Sequence, residues 1–156
     1  MLTIDVPGFK RLSISHVVSD YNGTLAVDGR LLPGVAARLK RLSKVVEIHV
    51  LTADTFGLVR AEMRGLPCTI SVLPSKNSHQ AKLRYVRRLN VQQTICIGNG
   101  RNDRLMLKAA AVGICLIQKE GAAAASLSAA SVVCLSANDA LDLLLHPRRL
   151  VATLRT

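Results

Sequence analysis

Short apolar runs alternate along the chain with stretches in which apolar residues recur every three or four positions. The runs are typical of strands buried on both faces, and the stretches between them are typical of amphipathic helices. The predicted strands are Ser15–Ser19, Val45–Leu51, Cys68–Leu73, Thr94–Ile97, Gly113–Ile117 and Val132–Leu135. The predicted helices run from Pro33 to about Ser43 and over Phe56–Arg64, Ser78–Leu89, Arg104–Ala111, Gly121–Ala130, Ala137–Leu145 and Arg148–Leu154. This alternation predicts an α/β, Rossmann-like fold in which helices cover a mostly parallel sheet.

Two short hairpins are predicted outside this alternation. Leu25–Leu32 turns at Asp28-Gly29, and Leu2–Leu12 forms an edge hairpin around Pro7-Gly8. No linker or shift in composition divides the series, so we interpret residues 1–156 as one domain.

The composition narrows the possible partners. A formal net charge of +11 favours phosphorylated or polyanionic ligands, although a merely solvated basic surface remains an equal alternative. Sequence-specific nucleic-acid binding is disfavoured, because the chain has no recognisable basic recognition helix, zinc pattern or aromatic RNA-binding stretch. No apolar run reaches the roughly 18 residues that span a bilayer, and Asp5 and Pro7 interrupt any signal-like pattern. We therefore expect a cytoplasmic protein with no membrane association.

Cysteine and histidine do not form a metal motif in the sequence. The cysteines lie far apart, mostly in apolar runs, and are predicted to be buried reduced thiols: Cys68, Cys96, Cys115 and Cys134. The histidines lack metal-ligand spacing and are predicted to be structural or surface groups: His16, His49, His79 and His146.

Residues that suit phosphoryl chemistry fall at the ends of predicted strands. Asp20 ends the first strand, and the Gly23-Thr24 turn follows it at once. An aspartate nucleophile needs a rigid strand to aim it and backbone amides around it. The other such features are Thr52 in Thr52-Ala53-Asp54, Lys82 on the helix before the fourth strand, and the loop Gly98–Asp103. Open parallel sheets bind ligands at this edge.

Together these features resemble the haloacid dehalogenase superfamily of aspartate-nucleophile phosphotransferases, from about Ser13 to Leu154. The motifs are most similar to those of the P-type ATPase phosphorylation domain, and the chain is identified as a member of the small soluble P-type-ATPase-like group. The Asp-Lys-Thr-Gly-Thr-Leu motif of the pumps corresponds to Asp20–Leu25, and their Thr-Gly-Asp motif to Thr52–Asp54. Four such features in the right order make the resemblance specific.

The resemblance implies a role for each matching residue. Asp20 would be the nucleophile, and Thr52, with Gly23, Ala53 and Lys82, would bind the phosphoryl group. Mg²⁺ would be held by Asp20, Asp103, Asn99 and the backbone carbonyl of Asn22. Arg101 is a candidate contact for a substrate anion. The substrate would be a phosphate monoester whose identity the sequence does not specify.

Each of these residues also has a plain structural interpretation. Asp20 would cap a turn, Thr52 would cap the next helix, and Asp103 would cap the helix after the loop. Lys82 would lie on a solvated basic face, in which case Lys76 is the alternative lysine.

Two amides stand where the family usually has acids. Asn22 replaces the general acid–base aspartate, whose help is worth roughly a hundred- to ten-thousand-fold. Asn99 replaces an aspartate near the metal, so Mg²⁺ binding is predicted to be weaker than micromolar. We therefore expect a slow Mg²⁺-dependent phosphatase, with a catalytically weakened regulatory or binding module as the alternative.

The chain also lacks two parts found in relatives. Only Ala26–Leu51 lies between the first two motifs, which excludes the nucleotide-binding domain and the transport activity of the pumps. No cap domain fits between Thr52 and Lys82, so the Ala26–Leu32 hairpin is the only flap available. A second copy of the chain is therefore a candidate shield for the site.

Overall fold

The computed structural model describes residues 1–53 and 58–156. The strands are β1 (Leu2–Val6), β2 (Lys10–Ile14), β3 (His16–Asp20), β4 (Ala26–Val27), β5 (Arg30–Leu31), β6 (Glu47–Thr52), β7 (Thr69–Val72), β8 (Thr94–Gly98), β9 (Val112–Leu116) and β10 (Val132–Cys134). The helices are α1 (Val35–Leu42), α2 (Leu58–Glu62), α3 (Ser78–Arg88), α4 (Arg104–Ala109), α5 (Ala124–Ala129), α6 (Ala137–Leu145) and α7 (Pro147–Leu154), with 3₁₀ turns at Val91–Gln93 and Arg101–Asp103.

Six parallel strands form the central sheet in the order β10-β9-β8-β3-β6-β7. The predicted parallel α/β fold is therefore confirmed. The chain builds β6 and β7 on one side of β3 and then crosses to build β8, β9 and β10 on the other side. The carboxyl end of β3 lies at this reversal, which is the ligand-binding position of open α/β sheets.

Alternating strand residues face two apolar layers, as strand geometry requires. One layer joins the sheet to α1, α6, α7 and the antiparallel β1–β2 hairpin. The other layer joins Val18, Leu51 and Cys96 of the sheet to Val86 of α3 and Met106 of α4. Asp20 shares the face of Val18, two residues before it, so α3 and α4 lie on the side to which Asp20 points.

Most departures from the predicted elements are small and fall at the ends of helices and strands. The predicted Gly121–Ala130 helix is shorter, because Gly121 has a left-handed φ of +69°, Ala123 is extended, and α5 begins at Ala124. The Leu2–Leu12 hairpin is present, but it forms a separate two-stranded sheet instead of an edge of the main one. The start of the predicted Phe56–Arg64 helix, with its proposed caps Asp54 and Thr55, lies outside the described residues.

The cysteines have the predicted surroundings. Cys96, Cys115 and Cys134 are buried, Cys68 is partly buried, and none forms a disulfide. Burial raises the pKa of the Cys134 thiol to about 11, so that thiol stays protonated at neutral pH. Among the described residues, no helix is long and apolar enough to cross a bilayer.

Candidate active site

A tight turn directly after β3 surrounds Asp20. The carbonyl oxygen of Tyr21 accepts hydrogen bonds from the amides of Thr24, Leu25 and Ala26 at 2.9–3.2 Å. Gly23 has φ +79°, and a Cβ there would lie only 2.4 Å from Glu120 Oε2. The glycine is therefore required both by its backbone conformation and by the close approach of neighbouring side chains.

Lys82 lies between two carboxylates. Its Nζ donates to Asp20 Oδ1 and to Asp103 Oδ1, each at 2.6 Å. Lys82 is only 1% exposed, because α3 turns it toward the sheet beside Ala81 and Val86. The solvated-face interpretation of Lys82 is therefore wrong, and exposed Lys76 does not take its place.

The charges in this cluster do not balance. Burial and, to a smaller extent, the nearby Asp103 carboxylate raise the pKa of Asp20 to about 7, although Lys82 acts in the opposite direction. Burial also disfavours the ammonium of Lys82, but the two carboxylates outweigh it and raise the pKa of Lys82. Two carboxylates thus share one ammonium, and the cluster carries an excess of negative charge once Asp20 is ionised.

Asp103 closes the loop that follows β8. Its Oδ2 accepts from the amides of Asn99 and Gly100, at 3.0 and 2.9 Å, and its side chain is fully buried. A Cβ at Gly98 would lie 2.5 Å from Asp103 Cγ, so glycine makes room for this carboxylate. Asp103 stands at the N-cap position of α4, as the helix-cap interpretation expects, but its side chain makes no cap hydrogen bond to that helix and binds the Asn99 and Gly100 amides instead.

The side chains of Asn22 and Asn99 both have hydrogen-bond partners. Asn22 Oδ1 accepts a hydrogen bond from the amide of Gly29 at 3.2 Å, which links Asn22 to the β4–β5 turn. Asn99 Oδ1 accepts from Thr24 Oγ1 at 3.2 Å, and its Nδ2 donates to the Gly121 carbonyl at 3.0 Å. A carboxylate at position 99 would lose the donation to Gly121.

Two residues near the site were not found from the sequence. Gln118 Nε2 donates to the carbonyls of Gly23 and Thr24, at 3.2 and 2.8 Å, and so supports the turn beside Asp20. Glu120 brings a carboxylate next to Gly23 and Asn99. Both follow β9, about a hundred residues after Asp20 in sequence, and no local pattern marks them.

The remaining predicted residues lie at the edges of this cluster. Thr52 is buried at the end of β6, which pairs with β3 in a register that sets Asp20 opposite Leu51. Ala53 is exposed next to it, and Asp54 lies outside the described residues. Arg101 is exposed in the 3₁₀ turn beside Asp103.

The geometry predicts that Lys82 holds the unliganded cluster together. In Lys82→Met, Asp20 and Asp103 lose their shared cation, and breaking a buried ion pair costs about 3–5 kcal/mol. Urea unfolding should show a loss of this order that is larger at pH 8 than at pH 5, because protonation of Asp20 relieves the repulsion. Lys76→Met is the matched control on an exposed lysine, and equal losses in the two variants would contradict this role.

Solved structures share this architecture. The fold matches 3-deoxy-D-manno-octulosonate 8-phosphate phosphatase from Moraxella catarrhalis, in complex with magnesium, phosphate and KDO, with TM-score 0.72 and 13% identity over 90% of this chain and 92% of that one. It also matches the cobalt-bound form of the deoxy-D-mannose-octulosonate 8-phosphate phosphatase from Haemophilus influenzae, with TM-score 0.71 and 14% identity over 92% of this chain and 94% of that one. A phosphatase of the haloalkanoate (HAD) enzyme superfamily from Bacteroides thetaiotaomicron gives TM-score 0.60 and 11% identity, over 90% and 96%.

The chain therefore has the haloacid dehalogenase fold, as its motifs predict. In sequence, the chain is 46% identical over 79 residues to the uncharacterized protein MJ0073 of Methanocaldococcus jannaschii. These 79 residues make up 48% of this chain and 85% of that protein. The chain belongs to the same family as MJ0073. A second protein of that organism, MJ0072, is 46% identical over 39 residues, or 25% of this chain and 89% of that one. No family model matches the chain.

Proposed function

We propose that the chain is a Mg²⁺-dependent phosphatase or phosphotransferase that acts on a phosphate monoester through an aspartyl-phosphate at Asp20. The observation that carries the proposal is the cluster of Asp20, Lys82 and Asp103 at the reversal point of the sheet. Phosphoryl transfer depends on in-line positioning and charge neutralisation, and a buried lysine beside a strand-end carboxylate provides both.

In the first step, an Asp20 carboxylate oxygen attacks phosphorus while the bond from phosphorus to the ester oxygen breaks. The leaving alkoxide takes its proton from water, because the side-chain amide of Asn22 is not acidic enough to act as a general acid. In the second step, water attacks phosphorus, the bond to Asp20 breaks, and phosphate is released. Lys82 neutralises charge on Asp20 and on the transferring group throughout both steps.

The donor set fits a divalent cation. Carboxylate and carbonyl oxygens are the ligands that Mg²⁺ prefers, and the excess negative charge of the Asp20, Lys82 and Asp103 cluster calls for a further cation. Asp20, Asp103 and the Asn22 carbonyl would hold it, with Asn99 as the neutral fourth group. Bound there, Mg²⁺ would offset negative charge on the phosphoryl oxygens.

Mg²⁺ binding should strengthen with pH. Since the pKa of Asp20 is about 7, a cation must displace a proton at pH 6 but almost none above pH 8. Calorimetry in buffers of different ionisation enthalpy should therefore show more proton release on Mg²⁺ binding at pH 6 than at pH 8. It should also give dissociation constants weaker than micromolar, since Asn99 adds no charge. Binding that is micromolar or tighter, or independent of pH, would contradict this account.

The alternative is a binding module that keeps the fold and an anion site without turnover. The amides at Asn22 and Asn99, and the hydrogen bond that ties Asn22 to Gly29, favour this candidate. Its expected result is capture of beryllofluoride or phosphate without hydrolysis of any ester.

A panel of phosphate monoesters assayed with Mg²⁺ tests the proposed activity and its substrate. The panel should include an aryl phosphate, small sugar phosphates and 3-deoxy-D-manno-octulosonate 8-phosphate, the substrate named for two structural neighbours.

We also propose a cytoplasmic location and a second copy of the chain as a shield for the capless site. Sedimentation with and without a phosphate mimic tests the shield.

A further inference from the structure

A second cluster of ligating side chains lies at the opposite edge of the sheet. His16 is the first residue of β3 and Asp20 is the last, so the two are about 13 Å apart along the strand. Parallel pairing of β3 with β6 places His16 beside Glu47 and Val18 beside His49. These register partners face the same side of the sheet, which brings His16, Glu47 and His49 together although the two histidines are 33 residues apart in sequence.

The spacing of the three donor atoms matches one coordination shell. His16 Nδ1 is 3.2 Å from His49 Nε2, and Glu47 Oε2 is 3.5 Å from His16 Nδ1 and 3.8 Å from His49 Nε2. Ligands bound tetrahedrally at 2.0–2.2 Å are separated by about 3.3–3.6 Å. The cluster therefore needs shifts of only a few tenths of an ångström to hold one ion.

A neighbouring hydroxyl orients the buried histidine. His49 Nδ1 lies 3.0 Å from Tyr85 Oη, and Ser71 Oγ donates to the same Tyr85 oxygen at 3.3 Å. With the Nδ1 proton of His49 donated to Tyr85, the Nε2 lone pair faces His16 and Glu47. Metal-bound histidines are commonly held by such a partner on the second ring nitrogen.

The surroundings also favour a neutral imidazole and an open coordination position. Burial, together with the adjacent His16, lowers the pKa of His49, and neutral imidazole is the form that binds metals. The Glu47 side chain is 74% exposed, so solvent reaches the cluster from that side. Two histidines and one glutamate leave a fourth tetrahedral position for water.

We propose that His16, Glu47 and His49 form a second metal site that takes Zn²⁺ or a similar divalent transition metal, distinct from the carboxylate site at Asp20. Imidazole ligands select such metals over Mg²⁺. The site joins β3 to β6, and through Tyr85 it also contacts α3, whose Lys82 lies about one helical turn away beside Asp20. The proposal does not depend on the proposed function.

Cobalt(II) titration of the chelator-treated protein, with excess Mg²⁺ present to occupy the carboxylate site, tests this assignment. We expect one tightly bound cobalt ion with visible bands of tetrahedral intensity and no thiolate charge-transfer band. Zn²⁺ should displace the cobalt and raise Tm, as a ligand of the folded state does.

Variants locate the site. Glu47→Gln alters an exposed side chain and should weaken binding about tenfold or more, and His16→Ala should abolish it. Tyr85→Phe should weaken binding about tenfold through loss of the outer hydrogen bond. His146→Ala removes an exposed histidine elsewhere and should bind like the wild type. Absence of cobalt binding, a thiolate band, or equal binding by the His16→Ala and His146→Ala proteins would overturn the proposal and leave a hydrogen-bonded histidine pair.

Discussion

Asp20→Asn is expected to abolish phosphate-ester hydrolysis while making the folded protein more stable. The amide cannot form the aspartyl-phosphate, and loss of a covalent nucleophile typically lowers kcat by about 10⁴-fold or more. The same change removes a carboxylate that is buried beside Asp103, and it leaves Lys82 paired with Asp103 at 2.6 Å. The ionised form of Asp20 is the one that burial penalises, as its raised pKa indicates.

The sign of the stability effect depends on pH. The pKa of Asp20 is raised from 3.8 to about 7, so the folded state retains a proton that the unfolded state loses between these values. The stabilisation that this retained proton gives to the folded state is fully present below pH 4 and is lost as the pH rises through 7. Asp20→Asn should therefore exceed wild-type stability at pH 8, on the order of 1 kcal/mol, or about 2–4 °C in Tm. Lower stability at pH 8, or retained hydrolysis, would contradict this account of Asp20.

Asn22→Asp is expected to raise turnover. A carboxylate can accept the hydrogen bond from the Gly29 amide just as the amide oxygen does, so the β4–β5 turn should keep its position. The new group could protonate the leaving oxygen and then activate water, which is worth roughly 10²–10⁴-fold in kcat. The pH profile should acquire a new ionisation, because an acid would then participate in both steps.

A matched control for this gain is Asn90→Asp. Asn90 is exposed and likewise accepts a backbone hydrogen bond, from Gln92 at 3.1 Å, far from the site in sequence and fold. Its kcat and pH profile should not change. If the wild type is active and Asn22→Asp changes kcat no more than Asn90→Asp does, the amide at Asn22 is not what limits turnover. If neither the wild type nor Asn22→Asp hydrolyses an ester, the binding-module alternative is favoured.

The sequence predicts the strands and the strand ends at which the candidate functional residues lie, because both follow from the local pattern of apolar and polar residues. Asp20, Thr52 and the Gly98–Asp103 loop are positions of this kind. The burial of Lys82 is different, because it depends on which face of α3 meets the sheet in a helix rich in exposed arginines. A helical pattern alone leaves Lys82 and Lys76 both open as candidates.

Contacts between distant segments are beyond local pattern altogether. Glu120 and Gln118 reach the turn after Asp20 only because β9 lies two strands from β3 in the sheet. The proximity of His16 and His49 is missed for the same reason, because their spacing in the sequence gives no sign of it. The two histidines lie side by side because of the register in which β3 pairs with β6, and the pattern of residues within each strand does not specify that register.

Trapping the phosphorylated enzyme tests most directly whether Asp20 forms an aspartyl-phosphate. Wild-type protein is mixed with an aryl phosphate and Mg²⁺, quenched in acid and measured by intact mass and peptide mapping. A covalent adduct with the mass of one phosphoryl group on the peptide that contains Asp20, sensitive to hydroxylamine and absent from Asp20→Asn, is the predicted result. Slow hydrolysis without the acid at position 22 should make the adduct accumulate. Ester hydrolysis with no such adduct, or an adduct that persists in Asp20→Asn, would contradict the account.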